Sequence, residues 1–343
     1  MTVPRSFIAH VGPTLVSFGP RTRVVPLQDV VGPVFVVHTP GRTEQVREVV
    51  ASLGEVTVFP RARQHVPRST VDEAAQALEQ SRAATVVAVG GGSAIGLAKA
   101  LALRFERLRK IYVPTTFSGS EMTNIWGTTD DGRKTTGRDE RVRADRVFYD
   151  PELVATLGLG TVYPSLFNAM AHAVEAVYSP GVYEGTAELA LEALRVLTRA
   201  IRDLAAGNDD LVVRADALYG AYLAGRALDD ATMGIQHKLA HVLGGLTGAE
   251  HAAVHTVLLP HTLEFNREWV PEGFARMTEA LGADPVVLIH ELQRQAGVPT
   301  TLSEAGLRGV ALDAVAREVA RGAYHSPRPA EVDDIVGLLE RCR

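Results

Sequence analysis

Apolar and polar positions follow two different patterns along the chain, and the first pattern covers about the first 150 residues. Short apolar runs with the length of buried strands are separated there by longer stretches with apolar residues at helical spacing. The runs occupy residues 34–38, 56–59, 85–90 and 111–115, and the helical stretches occupy residues 43–53, 70–81 and 94–105. This alternation predicts a parallel sheet covered by helices on both faces.

The segment from Ile125 to Tyr149 interrupts this alternation because it is polar, basic and rich in turn residues. We predict a hairpin or a long loop here, returning to a last short strand at residues 146–150.

The second pattern begins after Asp150, where Ala, Leu, Glu and His recur at helical spacing between Pro and Gly residues. The predicted helices occupy residues 164–178, 184–205, 210–228, 235–246, 251–266, 271–281, 285–295, 311–320 and 330–340. The chain is therefore predicted to have an α/β, Rossmann-like N-terminal domain, residues 1–155. An all-α C-terminal domain, residues 156–343, follows it, with the active site between the two domains.

Composition agrees with two soluble globular domains and narrows the possible partners. The chain has 343 residues, a formal net charge of −5 and a single cysteine, Cys342. The mildly acidic balance argues against nucleic acid and anionic membranes as partners. One cysteine allows no intramolecular disulfide, and no signal peptide or membrane-length apolar run is evident. We therefore expect a cytoplasmic protein.

A glycine-rich turn, GGGSAIGLAK, follows the apolar run at 85–90 and opens a helix. Glycines let a phosphate approach the backbone, and a helix N-terminus favours negative charge. A second turn, PTTFSGSE, follows the next strand, and neighbouring strand ends meet at one edge of a parallel sheet. The predicted cofactor-binding residues in these turns are Gly90, Gly91, Gly92, Ser93, Thr115, Thr116 and Ser118. The glycine spacing departs from G-x-G-x-x-G, so a plain tight turn stays the alternative.

The preference between NADH and NADPH stays open at this level. The run at 34–38 leads into Thr39, a further predicted cofactor contact, with no carboxylate to repel a 2′-phosphate. Arg42 is suited to attract that phosphate, and it is equally suited to start a surface helix.

Histidines are concentrated in the second half of the chain. Asn168 and His172 are four residues apart, so they share a helix face. Five more histidines fall within 25 consecutive residues: His237, His241, His251, His255 and His261. Clustered imidazoles serve as metal ligands, proton donors or anion partners, and structural packing is the alternative.

Several motifs together resemble the iron-containing alcohol dehydrogenase family, and most of all its maleylacetate reductase branch. They are GGGSAIGLAK, PTTFSGSEMTNIWGTTDDGRKTTGRD, YDPEL, NAMAHAVEAVY, HKLAHVLGG and HTVLLPHTLEFN. The resemblance runs from about residue 15 to the C-terminus. It implies the fold of iron-type alcohol dehydrogenases, which is similar to dehydroquinate synthase, and it makes a homodimer the expected assembly.

The resemblance also implies a ligand set for a divalent metal. The family's aspartate and three histidines fall on Asn168, His172, His237 and His251 here. An amide is a neutral and weaker ligand than a carboxylate. We therefore expect turnover without a metal, while weak binding of Fe²⁺ or Zn²⁺ stays open.

The resemblance implies reduction of the carbon–carbon double bond of maleylacetate by NADH or NADPH to give 3-oxoadipate. This chemistry needs stabilisation of an enolate and a proton for carbon. We predict His241 as the proton donor, with His237 and His172 as partners of the enolate oxygen. The residues predicted to bind this small dianionic substrate are Arg133, Lys134, Arg138, Asn168, Lys238 and His251. For the basic hairpin, a solvated loop is the alternative.

Three other functions stay open from the sequence. Leu166, Phe167, Gln236 and Glu250 depart from the usual pattern of the branch, which suits a paralogue reducing another oxo-acid or enone in a biosynthetic pathway. A redox-neutral lyase or cyclase that uses NAD transiently is the second alternative. A nucleotide-binding sensor without catalysis is the third.

Overall fold

A computed structural model describes residues 3–24, 30, 32–41, 43–51, 53–131, 133–322 and 324–343. Arg42, proposed above for a 2′-phosphate, lies outside these residues, and so does the side chain of Arg133. The chain forms two compact units. Unit 1 comprises the residues up to Leu157 together with Asp210–Leu218, and unit 2 comprises Gly158–Asp209 and Tyr219–Arg343.

Unit 1 is an α/β unit. Its strands and helices are, in chain order, β1 (Phe7–Val11), β2 (Thr14–Phe18), β3 (Val34–His38), α1 (Thr43–Val50), β4 (Val56–Phe59), α2 (Arg68–Ser81), β5 (Thr85–Gly90), α3 (Gly92–Arg104), β6 (Arg109–Pro114), β7 (Ile125–Asp130), β8 (Arg133–Arg138) and β9 (Arg146–Tyr149). Strands β7 and β8 pair as the predicted hairpin, and β9 is the predicted last strand.

Seven strands form one sheet in the order β1-β2-β9-β6-β5-β3-β4. All neighbours are parallel except β1 and β2, which pair antiparallel, so the predicted parallel sheet is confirmed. Every residue of β3 and β5 is buried, which explains their continuous apolar sequences. On one side, Val46 and Val49 of α1 pack against Val34, Val87 and Ile111.

The strand order creates a crevice at one end of this sheet. Strand β3 lies between β4 and β5, so the chain leaves β3 toward one side and leaves β5 toward the other. Ligands of such sheets bind outside the carboxyl ends of the strands where the order reverses. Thr39 follows β3 and Gly91 follows β5, which places both predicted cofactor contacts at this point.

Unit 2 is helical throughout its described secondary structure. Its helices are α4 (Leu159–Val177), α5 (Glu184–Ala205), α6 (Leu211–Asp230), α7 (Ile235–Thr247), α8 (His251–Asn266), α9 (Pro271–Leu281), α10 (Pro285–Ala296), α11 (Leu312–Arg321) and α12 (Val332–Arg341). The first residues of α6, up to Leu218, belong to unit 1. Helix α4 is buried from Val162 to Val177 and carries Asn168 and His172.

Two expectations about element boundaries need correction. The predicted helix at 164–178 starts at Leu159, before Pro164. Proline inside a helix removes one backbone hydrogen bond, and the burial of the residues that follow outweighs this cost. The β1–β2 hairpin had no counterpart among the predicted strands. In the described part of the chain, no helix is long and apolar enough to cross a membrane.

Candidate functional site

The two small-residue turns of unit 1 lie side by side at the carboxyl ends of β5 and β6. Gly90 has a φ of 155°, which favours glycine, and the backbone N–H of Thr115 donates to its carbonyl at 3.1 Å. A Cβ on Gly91 would approach the Oγ1 of Thr116 to 2.6 Å, whereas a Cβ on Gly92 would meet nothing within 4 Å. Glycine at 91 is therefore needed for packing, and the backbone at 92 is open.

These turns fit a dinucleotide phosphate. Gly91 is the N-cap of α3, so unpaired N–H groups at the start of this helix, around Ser93, suit an anion. The hydroxyl of Thr115 is buried and has no hydrogen-bond partner among the described residues. Ser118, by contrast, lies 3.3 Å from the carboxylate of Glu121, so its hydroxyl shapes the second turn.

A buried lysine, Lys99, holds the second turn in place. Its ammonium donates to the carbonyls of Ser120 at 2.7 Å, Thr123 at 2.8 Å and Ile125 at 2.8 Å. Burial raises the pKa of the neighbouring Glu121 carboxyl, which accepts from Tyr149 Oη at 2.8 Å. Lys99 lies within the glycine motif of the sequence, which predicts no role for it. The signal was a cation in the middle of an apolar helix whose other charged residue, Arg104, lies in the last turn.

The cations predicted to meet the substrate differ in their surroundings. Arg138 donates to Oδ1 of Asn124 at 3.0 Å, and burial lowers the pKa of Lys134. In unit 2, the Nζ of Lys238 lies against Gly322, where a Cβ would approach it closely. All three stay predictions as substrate contacts.

Unit 2 brings five of the histidines together. His172 of α4 stacks on His237 of α7 with ring centroids 5.1 Å apart, and His241 stacks on His251 of α8 at 5.5 Å. The ring centroid of His255 lies 4.7 Å from that of His237 and 4.4 Å from that of His251. The helical spacing seen in the sequence thus places these rings in one cluster, which we call the histidine cluster.

A buried carboxylate, Glu175, orients His237. It accepts a hydrogen bond from His237 Nδ1 at 2.5 Å and from the backbone N–H groups of Gly234 and Gln236, both at 2.9 Å. The carboxylate therefore caps the N-terminus of α7, where negative charge is favoured. Because Nδ1–H is committed to Glu175, the Nε2 of His237 faces the rest of the cluster.

A second hydrogen-bond chain orients His251. Nε2 of Gln236 lies 3.0 Å from His255 Nδ1 and 3.1 Å from the His255 carbonyl, and Oε1 of Gln236 accepts from Thr262 Oγ1 at 2.5 Å. The Nε2 atoms of His255 and His251 are 3.1 Å apart. From the sequence, Glu175 and Gln236 have no predicted role and His255 is only one of the clustered imidazoles, because the hydrogen bonds of Glu175 to His237 and of Gln236 to His255 join separate helices.

The cluster is buried and partly unsatisfied. Burial holds the pKa of His172 and of His255 well below the usual value, so both rings are neutral at physiological pH. In the part of the chain that the structure describes, Asn168 Oδ1, His172 Nδ1 and His237 Nε2 are buried without hydrogen-bond partners. Buried polar atoms are normally paired, so these three suit a polar ligand.

The ligand set implied by the resemblance does not fit a divalent metal here. Residue 168 is a neutral amide, and the Nε2 of His251 is engaged by His255. Across the described ranges, no group of three His, Cys, Asp or Glu side chains is placed to hold a metal ion. No step of the chemistry below is assigned to a metal.

Both units of the chain match known protein families. Residues 13–151 match the iron-containing alcohol dehydrogenase profile, and residues 162–342 match the C-terminal profile of the Fe-containing alcohol dehydrogenase family. The maleylacetate reductase of Sphingobium indicum is 41% identical over 310 residues, covering 90% of this chain and 88% of its own length. Maleylacetate reductase 2 of Cupriavidus pinatubonensis is 40% identical over 343 residues, covering 97% and 95%.

A solved structure gives the same result. The maleylacetate reductase of a Rhizobium species superposes with a TM-score of 0.90 at 34% identity, covering 98% of both chains. The fold and the site define a two-unit oxidoreductase. The chain belongs to the iron-containing alcohol dehydrogenase family, in the branch whose curated relatives are maleylacetate reductases.

Proposed function

We propose that this protein reduces maleylacetate to 3-oxoadipate with NADH or NADPH. The observation that carries the proposal is the set of buried, unpartnered polar atoms on Asn168, His172 and His237. The ketone and carboxylate oxygens of this substrate accept hydrogen bonds from imidazole N–H groups of His172 and His237, whereas Oδ1 of Asn168 needs a donor. The names of the curated relatives support the same substrate.

The cofactor is proposed to bind at the crevice of the unit 1 sheet. Gly91, Gly92 and Ser93 suit the pyrophosphate, and Thr39 and Thr115 lie at the neighbouring strand ends. When bound, a reduced nicotinamide supplies a hydride to the substrate carbon β to the ketone. The electrons of the double bond then form an enolate, and a proton on the α-carbon completes 3-oxoadipate.

The histidine cluster is proposed to stabilise the enolate. His237 has Glu175 as a buried partner of Nδ1, and in the proposed reaction its Nε2 faces the substrate oxygen, to which an Nε2–H would donate. His172 is neutral, so it contributes a hydrogen bond without a charge. Asn168 and His251 are proposed as further contacts of the substrate.

His241 is proposed as the proton donor. It lies one helical turn after His237 and is partly exposed, whereas His237 is buried. A group that must be reprotonated in every cycle benefits from access to solvent. Lys134, Arg138 and Lys238 are proposed partners of the substrate carboxylates, and a homodimer is the proposed assembly.

Oxidation of NADH and NADPH in the presence of maleylacetate tests the proposal, with 3-oxoadipate measured as product. We expect one equivalent of cofactor oxidised per product, and kcat at least ~10²-fold lower in His241→Ala. Product without net oxidation of cofactor would instead indicate a redox-neutral enzyme. Nucleotide binding with no reduction of maleylacetate or related enones would indicate a sensor.

A further inference from the structure

The orientation of the Gln236 amide follows from its neighbours. One of its terminal atoms lies 3.1 Å from the carbonyl oxygen of His255, which only accepts hydrogen bonds, so this atom is the NH₂ group. The same NH₂ group lies 3.0 Å from Nδ1 of His255, so Nδ1 accepts its second hydrogen. His255 therefore carries its own proton on Nε2.

This tautomer of His255 determines which nitrogen of His251 carries a proton. The Nε2–H of His255 points to the Nε2 of His251 at 3.1 Å, so the Nε2 of His251 accepts through its lone pair. A lone pair in a hydrogen bond is not available to a cation. His251 then carries its proton on Nδ1.

We propose that Gln236 and His255 keep divalent cations off His251 by engaging its Nε2, independently of the amide at Asn168. Gln236 and His255 are positioning residues in this account, and the substrate reduced by the enzyme plays no part in it. The alternative is that the missing carboxylate at residue 168 alone prevents binding.

Binding of Zn²⁺ to purified full-length protein, measured by calorimetry, separates the two accounts. We expect Asn168→Asp to bind Zn²⁺ no more tightly than the wild type, because the Nε2 of His251 is still engaged. Asn168→Asp combined with His255→Phe should bind Zn²⁺ roughly 10- to 100-fold more tightly than Asn168→Asp alone. Tight binding by Asn168→Asp alone would overturn the proposal, and so would a double variant that binds no better.

A matched control comes from the same helix. His261 lies in α8 outside the histidine cluster and contacts His290, with ring centroids 5.5 Å apart. Asn168→Asp combined with His261→Phe should bind Zn²⁺ as Asn168→Asp does. An equal gain from this pair would show that the loss of either histidine of α8 is sufficient, and would contradict the specific role of His255.

A measurement on the wild type covers the case in which the variants fail to fold. In ¹⁵N-histidine-labelled protein, imidazole spectra distinguish nitrogens with and without a proton. We expect His255 protonated at Nε2 and His251 protonated at Nδ1. His255 protonated at Nδ1 would overturn the proposal. In Gln236→Leu, His255 loses the donor to its Nδ1, and both tautomers should be populated.

Discussion

Each unit holds its candidate site with a buried charged side chain, and the two charges are opposite in sign. In unit 1, Lys99 donates to three backbone carbonyls of the turn after β6. In unit 2, Glu175 accepts from two backbone N–H groups and from His237. Lys99 shapes a backbone surface, whereas Glu175 determines which nitrogen of an imidazole carries a proton.

The difference shows what each site requires of the sequence. The glycine turn needs small residues and a helix start, which are local properties of the chain. The histidine cluster needs a partner for each ring, and the pair of Glu175 and His237 spans 62 residues. The chemistry of a histidine depends on such partners more than on its spacing from the next histidine.

The largest effect is expected for Glu175→Gln. The change puts an NH₂ group among N–H donors and removes the buried partner of His237, so we expect a loss of about 3 kcal/mol in unfolding free energy. We also expect kcat to fall at least ~10²-fold, with little change in KM for NADH. Urea denaturation and steady-state kinetics measure the two effects. Glu264→Gln, in an exposed pair with Arg267, serves as the control.

The corresponding change in unit 1 is Lys99→Met. It leaves three carbonyls without their donor, and we expect a loss of about 2 kcal/mol in unfolding free energy. Because Lys99 holds the turn proposed to bind cofactor, KM for NADH should rise more than kcat falls. A pattern like that of Glu175→Gln, with kcat alone reduced, would remove the contrast between the two units.

Two neighbouring glycines separate packing from binding within unit 1. Gly91→Ala forces a Cβ against Thr116, so we expect a loss of about 1–2 kcal/mol in unfolding free energy. Gly92→Ala meets no atom within 4 Å, so its unfolding free energy should stay near that of the wild type while KM for NADH rises. Equal stability losses in both variants would contradict this assignment.

The smallest effect concerns a histidine outside the cluster. Burial, with His290 and Arg341 nearby, lowers the pKa of His261 to about 4. The unfolded chain takes up this proton near pH 6.5 and the folded chain does not, so stability falls as the pH drops below this value. Between pH 7 and pH 5, the unfolding free energy of His261→Leu should fall by about 1 kcal/mol less than that of the wild type, allowing for the partial exposure of His261. An identical loss would show that His261 titrates normally.

Much of the fold could be predicted because its signals are local. The predicted helices at 251–266 and 271–281 have the observed bounds, since proline, glycine and apolar spacing mark their limits. Strand β1 gave a weak signal because it lies at the sheet edge, where Ile8 is 75% exposed. Pro164 suggested a helix start that the burial of α4 overrides.

The site could be predicted only in part. Spacing indicated that Asn168 and His172 share a helix face, and the glycine turn was evident from its composition. The roles of Gln236 and Glu175 depend on contacts made between separate helices, which no local pattern encodes. Lys99 was hidden because a buried cation is recognised only by the carbonyls around it.

We propose that this protein reduces maleylacetate through its histidines and without a metal. Oxidation of NADH by maleylacetate, measured before and after treatment with a strong chelator, tests it most directly. The account predicts the same kcat in both states and no gain from added Fe²⁺ or Zn²⁺. Loss of activity on chelation, restored by either ion, would contradict it.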